Sequence, residues 1–599
     1  MVDAPTADNP REPDITHTNP ATGETWFGHP RQLARLFTTE MWERFGYYGM
    51  RALLTLYLTQ HFLFGDRQAT GLYGGYTALV YLTPLVGGYL ADQYLGSKRA
   101  VKFGAVLMAL GYLTLCFGGE TAKPFATIDG QRYEVTIERD ATTGAETRYV
   151  VDGANKLAIK GNDDGTVALL GADGTATRTV AAGGFSSDGE RSPFHVTLML
   201  VALCMVSVGN GFFKPNISTM VGELYEQGDR RRDAGFTIFY MGINLGSLGS
   251  QILCPWLAVA VGWWAGFGLA AFGMMLSWLL IQFDGGKLNG YGEPPADQPA
   301  NRAIGIFALA TIGVPVFYLL FVNLMNAPEP VPGSGIVGYI LSLPLMGKLL
   351  FGTFLVSVPG ILIWSASVGD RREFQMMLAA MTLIVFNVVF WTLFEQAGSS
   401  LTLFADRNTD LSVFGLFSIT AGQTQFFNAF FIVVFAPILS VLWTRLAARG
   451  IEPSIPVKFG IALIGVGLGF LFLVLGAQYA GPDFKVAIWW LAGLYLIHSL
   501  AELCISPVGL SMVTKLSIAR VVGLMMGVWF LSISVAQYVA GVVAQVASVE
   551  TVGGQVTNLK VSLDTYNGVF WTIGLISAGI GLLLLALSPL IRKWMHGVQ

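Results

Sequence analysis

Apolar positions in this chain come in long runs rather than in alternation. Fourteen stretches reach the roughly 20 residues that a helix needs to cross a bilayer. They lie near 32–60, 69–93, 99–118, 193–222, 231–252, 256–283, 303–325, 336–367, 374–405, 422–447, 457–478, 484–513, 518–547 and 565–591. Each predicts a membrane helix, because lipid offers no partner to a backbone N–H or C=O and a helix satisfies both internally. An even number of crossings returns both termini to one side. The pattern breaks once, at 119–192. There Tyr133, Val135 and Ile137 alternate with Glu134, Thr136 and Glu138, the period of a half-buried strand. Leu157 to Leu170, turning at Gly161-Asn162-Asp163-Asp164-Gly165, reads as a hairpin. The expected fold is all-α integral membrane with a small β-rich insertion.

Composition agrees. Of the 599 residues, 53% are hydrophobic and 13% charged, about half the charge of a soluble domain. Residues 119–192 alone hold eight Lys/Arg and twelve Asp/Glu. A net charge of −3 gives no reason to expect nucleic acid as a partner. Eighteen Lys/Arg fall in loops on the side of the termini, against four (Arg67, Arg407, Lys485 and Lys560) on the other. By the positive-inside rule both termini are cytoplasmic and the insertion faces outward. The first 30 residues are polar and read as a tail without a cleavable signal. Cys116, Cys204, Cys254 and Cys504 sit in apolar runs with no metal spacing, so they read as small hydrophobes.

Against this background, ionisable residues inside the spans stand out. A charge at bilayer depth costs at least ~2.5–3.5 kcal/mol, so it normally marks a pathway or relay. The first span carries Glu40, Glu43, Arg44, Tyr47, Tyr48 and Arg51. At about 100° per residue, Glu40, Arg44, Tyr47 and Arg51 share one face. The bland reading is a helix end with snorkelling charges, but the cluster spans about three turns. Lys214 lies in an apolar run beside Pro215, whose ring interrupts the helical ladder. Lys214 requires a carboxylate partner, and the Glu40/Glu43 pair is the nearest in kind. Glu395 and Glu502 are isolated carboxylates that must be neutral, paired or wet. His498 reads as a structural histidine rather than a proton relay. Asn244, among small residues, and Asn428 serve either as interhelical glue or as cavity lining. Together these groups offer cations at one end of a cavity and carboxylates at the other, which suits a zwitterion. Titratable carboxylates beside cations couple pairing to protonation. No Walker motif, nucleophile–base arrangement or metal spacing is present in the sequence, so neither ATP nor catalysis is expected.

These motifs resemble the proton-dependent oligopeptide transporters of the major facilitator superfamily. The likeness rests on Glu40-x-x-Glu43-Arg44-Phe45-x-Tyr47-Tyr48-Gly49 and on Gly87-Gly88-Tyr89-Leu90-Ala91-Asp92-x-x-Leu95-Gly96 with Lys98 and Arg99. It continues in Lys214-Pro215-Asn216-Ile217-Ser218, Phe239-Tyr240-x-x-Ile243-Asn244-x-Gly246-Ser247, Phe390-Trp391 with Glu395-Gln396, and Glu502-x-x-x-Ser506-Pro507-x-Gly509-Leu510-Ser511. It covers about residues 30–595 apart from the insertion. The resemblance implies two six-helix bundles, 31–283 and 373–595. Between them lies a linker, 284–372, with the two additional helices that bacterial members carry. It also implies import of di- and tripeptides with protons across a bacterial inner membrane, by a monomer without a cofactor. By resemblance, Glu40, Glu43, Arg44 and Lys214 are proton-linked, and Arg51 with Glu395 closes the outer gate. Arg44, Lys214 and Tyr48 hold the peptide carboxylate. Asn244, Asn428 and Glu502 hold its amino end, while Tyr47, Tyr81, Glu395 and Ser506 belong to the pocket.

Two departures stand out. No histidine matches the proton-sensing one of animal members in the second helix, where Tyr81 and Leu82 stand. Ala429 follows Asn428 where proline is usual, which weakens the helix break expected there. Two other readings are open to the sequence: a relative moving another solute such as nitrate or a peptide-like compound, and a sensor or adhesion protein working through the insertion.

Overall fold

A computed structural model describes residues 25–598 except 140–145, 154, 226–228, 230, 284–287, 289–290, 295–299 and 329–334. The described N-terminal residues open with a hairpin, β1 (Thr25–Trp26) against β2 (His29–Pro30). The first group of helices is α1 (Gln32–Leu56), α2 (Asp66–Leu90), α3 (Ser97–Leu115), α4 (Pro193–Glu223), α5 (Arg232–Ala260) and α6 (Trp263–Gln282). Then come α7 (Ala300–Met325), a short α8 (Gly335–Ser342) and α9 (Leu345–Val368). The last group is α10 (Arg371–Phe394), continued by the short α11 (Ser400–Asn408), then α12 (Phe426–Ala448), α13 (Ile455–Ala477), α14 (Ile488–Leu516), α15 (Val522–Val546) and α16 (Leu559–Trp594). With α8 and α11 set aside as short, these give fourteen long helices near the fourteen apolar runs. Among the described residues, eleven spans have the length and composition to cross a membrane. The three long helices outside that set, α1 to α3, are the most polar.

Buried apolar side chains form two large clusters, one built mainly from α1–α6 and one from α10–α16. Helices α7 and α9 lie at the edge, with Ile304, Leu319, Leu355, Val356 and Ile363 exposed. Apolar side chains on an outer face are what lipid, rather than water, tolerates. This is the fold that the resemblance implies: a major facilitator fold with two helices added between its halves.

Small residues set the closest helix crossings, as expected where backbones must approach without a hydrophobic driving force. A Cβ on Gly74 of α2 would sit 2.7 Å from the Gly541 Cα of α15, so these two helices cross backbone to backbone between the halves. Gly87 of α2 meets the Gly211 carbonyl of α4, and Gly246 of α5 meets the Met41 carbonyl of α1. Thr83 donates to the Ser207 carbonyl (2.8 Å) and Asn210 to the Val80 carbonyl (2.9 Å) along the α2–α4 seam. Helix α4 runs through Pro215 without interruption, so the break anticipated there does not form. Likewise α12 is continuous through Asn428-Ala429, with a 3₁₀ turn (Gly422–Gln425) just before it. A capping box starts α10: Asp370 accepts from Glu373 N (2.7 Å) and Glu373 from Asp370 N (3.1 Å), satisfying two otherwise orphaned donors.

The insertion folds as one antiparallel sheet: β3 (Lys123–Ile128), β4 (Gln131–Arg139), β5 (Glu146–Asp152), β6 (Asn155–Gly161), β7 (Val167–Leu170), β8 (Ala176–Val180) and β9 (Phe185–Glu190). The expected hairpin is β6–β7, paired from Ala158↔Leu170 to Gly161↔Val167. Spatial order is β8-β7-β6-β5-β4-β3-β9, so strands adjacent in sequence, β8 and β9, lie on opposite edges. The four residues between them span at most about 18 Å, whereas six strand spacings of a flat sheet cover about 29 Å. The sheet must therefore curl. At the closure Asp129 N donates to the Gly184 carbonyl (2.9 Å) and Arg178 ion-pairs with Asp129 (2.6 Å). Ala126, Ile128, Val135, Val150, Val167, Leu169, Val180 and Phe185 fill the interior. Ile137, expected inside, lies past the filled section and is 42% exposed.

The α2–α15 crossing leaves no room for a side chain. Gly541→Val should cost roughly 1–3 kcal/mol, the usual penalty of overpacking. The check is a lower unfolding midpoint in detergent than for Gly579→Val, where no heavy atom lies within 4 Å of an added Cβ.

Candidate functional site

Helix α1 carries charge into the bundle on successive turns. Arg44, Tyr48 and Arg51 follow at i, i+4 and i+7, so they share one stripe, and all three line a cavity of about 420 Å³ between the two helical groups. Glu40 and Glu43 lie behind Arg44, both buried. Arg44 Nε donates to Glu40 Oε1 at 3.1 Å and stands 2.5 Å from Glu43 Oε2 in an ion pair. Among the described residues, Glu40 Oε2, Glu43 Oε1 and Arg44 Nη2 have no hydrogen-bond partner. One guanidinium thus serves two buried carboxylates, with donor and acceptor capacity left over.

Tyr47, expected on the pocket wall, is not there. It lies one residue off the Arg44–Tyr48–Arg51 stripe, buried behind the wall. There its ring meets Tyr48 edge-on (5.3 Å) and faces the Arg44 guanidinium (5.3 Å). At 100° per residue both tyrosines lie near the Arg44–Arg51 line, and the rotation of α1 within the bundle turns Tyr48 rather than Tyr47 toward the cavity.

Lys214 of α4 and Tyr81 of α2 also line the cavity. The expected ion pair between Lys214 and the α1 carboxylates is absent among the described residues: both carboxylates are taken by Arg44, and Lys214 Nζ rests over the Tyr81 ring, 4.9 Å from its centroid. A ring face attracts a cation without neutralising it. Across the cavity, Asn428 Nδ2 donates to Glu502 Oε2 (3.1 Å) and to Ser499 Oγ (3.0 Å). Asn244 lines the same space and bonds the Tyr240 carbonyl one turn back (2.9 Å). Ser506, Trp391, Phe394, Tyr495 and Phe530 complete much of the wall. His498 reaches the wall, but its Nε2 is held at 3.0 Å by the Val466 carbonyl of α13, the partner of a structural histidine. Cations on the α1/α4 side and a carboxylate with an amide on the α12/α14 side suit a ligand of opposite end charges.

Above the cavity, toward the β-sheet, bonds tie the two helical groups together. Arg51 Nη2 donates to Glu395 Oε2, and Arg51 Nε donates to Tyr73 Oη (2.6 Å). Thr55 donates to the Gly398 carbonyl (2.5 Å) and Gln60 to Asp406 (3.0 Å). Farthest out, Arg407 grips Asp66 with two parallel bonds of 2.5 Å and reaches Tyr566 Oη (3.2 Å). Asp66 also accepts from Val549 N (3.1 Å). Both side chains are essentially fully buried. In the sequence Arg407 is a loop charge like its neighbours, and Asp66 stands just before an apolar run. Both stand at the ends of apolar runs, where a charge ordinarily meets headgroups. Their neighbours, Arg67-Gln68 and Asp406 with Asn408, are as polar as they are, so nothing local in the sequence marks the pair.

Residues 98–559 match the family model described as the POT family. Peptide transporter YePEPT of Yersinia enterocolitica is 31% identical over 544 residues, covering 88% of this chain and 90% of that protein. Dipeptide and tripeptide permease A of Escherichia coli is 28% identical over 567 residues, covering 95% and 94%. Among solved structures, a mutant of peptide transporter POT in complex with alafosfalin matches with a TM-score of 0.72 at 28% identity, over 97% of this chain and 99% of that one.

The Arg407–Asp66 pair carries a thermodynamic signature. Arg407→Met leaves a buried carboxylate unpaired and should cost roughly 3–5 kcal/mol, whereas removing both charges in Arg407→Met/Asp66→Leu should recover much of that. Unfolding midpoints of the two single variants and the double variant provide the cycle.

Proposed function

The chain belongs to the POT family of peptide transporters, and we propose that it is a proton-coupled symporter that imports di- and tripeptides by alternating access. It is a membrane transporter, not an enzyme. One observation carries the reading: a guanidinium shared by two buried carboxylates opens on the same cavity as an ammonium with, among the described residues, no carboxylate within ion-pair distance and, opposite, a carboxylate held by an amide. The first group can exchange a proton for an ion pair. The remainder presents charges opposite to those of a zwitterionic backbone.

In this mechanism Arg44, Lys214 and Tyr48 receive the peptide carboxylate, and Asn244, Asn428 and Glu502 receive its amino end. Tyr81 and Ser506 shape the pocket, and Tyr47 supports it from behind. With Glu40 and Glu43 both ionised, the Arg44 charge is divided between two carboxylates. A proton on Glu43 leaves one carboxylate on Arg44 and frees donors for the substrate, so peptide and proton favour each other's binding. Arg51–Glu395 and Arg407–Asp66 close one end. Opening that end requires both to part, which an ion or a proton arriving at Glu395 makes cheaper.

The two bundles, 31–283 and 373–595, rock against each other about the cavity, with 284–372 at their edge. The termini lie in the cytoplasm and the β-sheet outside, across a bacterial inner membrane. The bonds above the cavity then make this conformation closed to the outside. A monomer suffices, with protons as the coupling ion and no cofactor.

In proteoliposomes with acid outside, a labelled dipeptide should accumulate and a protonophore should abolish the accumulation. Competition by dipeptides, and not by free amino acids or nitrate, checks the substrate class. Accumulation that ignores the protonophore would reject the coupling.

Two variants separate the roles. Glu43→Gln should lose proton-driven accumulation while retaining peptide counterflow, read from the same liposomes with and without a pH gradient. Lys214→Ala should lose proton-driven accumulation and also weaken peptide binding by about 10- to 100-fold, the worth of a hydrogen bond to a charged group. Wild-type concentrative uptake by either variant contradicts its role.

A further inference from the structure

The curled sheet grows from one half of the molecule and rests on the other. Its ends enter α3 and α4, and it is fixed to the turn between α1 and α2. Ala122 N donates to the His61 carbonyl (2.8 Å), Gly189 packs on Leu63, and Arg191 lies over the Phe64 ring (4.3 Å). It also touches the loop joining α15 to α16. That loop forms a hairpin, Thr551–Val552 against Gln555–Val556. Val552, wholly buried, joins the sheet's own interior cluster.

Polar contacts fix the register. Gly161 N donates to the Thr557 carbonyl (3.2 Å). Asn558 Nδ2 donates to the Gly161 carbonyl (3.1 Å) and to Asp163 Oδ1 (3.1 Å), and Lys560 Nζ donates to Asp163 Oδ2 (2.5 Å). Hydrogen bonds from Lys560 and Asn558 hold the Asp163 carboxyl below the usual carboxylate range, so it stays charged while docked. A Cβ at Gly161 would lie 2.8 Å from Thr557 Oγ1 and 3.2 Å from Asn558 Cβ. The two backbones run close there, and chiefly the Thr557 hydroxyl would have to turn aside to admit a side chain at 161. Asn558 also caps α16 by accepting from Lys560 N and Val561 N, so docking reaches the start of a membrane helix directly.

We propose that the insertion is an intramolecular clamp: it holds the 551–560 loop of the second bundle while the sheet end of the transporter is closed, and it must release that loop for the end to open. The inference rests on the alternating-access reading above. Contacts made in one state only shift the equilibrium toward that state by their own free energy. Here those contacts span the two bundles in parallel with Arg51–Glu395 and Arg407–Asp66, and they lie where the family motifs do not reach.

The test is a reversible staple. The Cβ separation at 161 and 558 is close to the ~3.5–4.5 Å of a disulfide, so Gly161→Cys/Asn558→Cys should cross-link under mild oxidant in the full-length protein. Uptake in proteoliposomes should then fall to the level of empty liposomes and return on adding reductant, with each single variant insensitive to oxidant. Full cross-linking with undiminished uptake would overturn the clamp, because the loop would then travel with the sheet. Failure to cross-link would also overturn it, because the two surfaces would not meet. Uptake by the unmodified protein tests the transport reading separately. Hydrogen exchange gives a second readout that does not need the cysteine pair. In Arg407→Met, exchange at 155–165 and 551–560 should rise together with that at 57–66. A rise at 57–66 alone would count against the clamp.

Discussion

Charge carried into a bilayer has to be answered inside the protein, and α1 brings in Glu40, Glu43, Arg44 and Arg51 within about three turns. At ~2.5–3.5 kcal/mol or more for each unpaired charge at mid-depth, such a helix can be stable only at the centre of a bundle. Much of the architecture follows. Helix α5 lies on α1 at Gly246 and Met41, α2 supplies Tyr73 to Arg51, and the 3₁₀ turn after α10 supplies Glu395. The two helical groups are drawn together around the stripe that neither could shield alone.

The same constraint explains how the cavity is charged. Every ion pair formed in the dry interior removes a charge from the list of those able to meet a ligand. Arg51 is taken by Glu395, and Arg44 is shared by Glu40 and Glu43. Lys214 has a ring beneath it instead of a carboxylate, and Glu502 has an amide. Those two are therefore the groups with most electrostatic capacity left, on opposite walls. A bundle with all its charges matched would be a stable membrane protein without a binding site.

Pairing also divides the molecule into a fixed end and a working middle. Toward the β-sheet, contacts between the groups are hydrogen-bonded and buried, ending in the bidentate Arg407–Asp66 bridge. The geometry at that bridge is demanding, and a buried pair is strongly destabilised when only one partner leaves. The insertion adds a further contact between the groups, in which Asp163, Asn558 and Lys560 supply the polar part and Val552 the apolar part.

The positions of the spans, the strand period in the insertion and the α1 charge cluster were all legible in the amino-acid order. Each depends on local rules: twenty apolar residues for a crossing, a period of two for a strand, and a rare charge in an apolar run. The β6–β7 hairpin was legible for the same reason, through its Asn-Asp-Asp-Gly turn. What the order of residues could not decide was pairing between distant segments. Lys214 lies among α1 carboxylates in kind, yet it rests on Tyr81. Arg407 looks like a loop charge, yet it closes on Asp66, 341 positions away. Tyr47 and Tyr48 are indistinguishable as letters, and one turn of packing put only the second in the cavity. Partners of that sort are chosen by which helices cross and at what rotation. That choice is set by backbone approach at glycines such as Gly74 and Gly541 and by the cost of leaving any buried charge alone, neither of which is a property of a single stretch of chain.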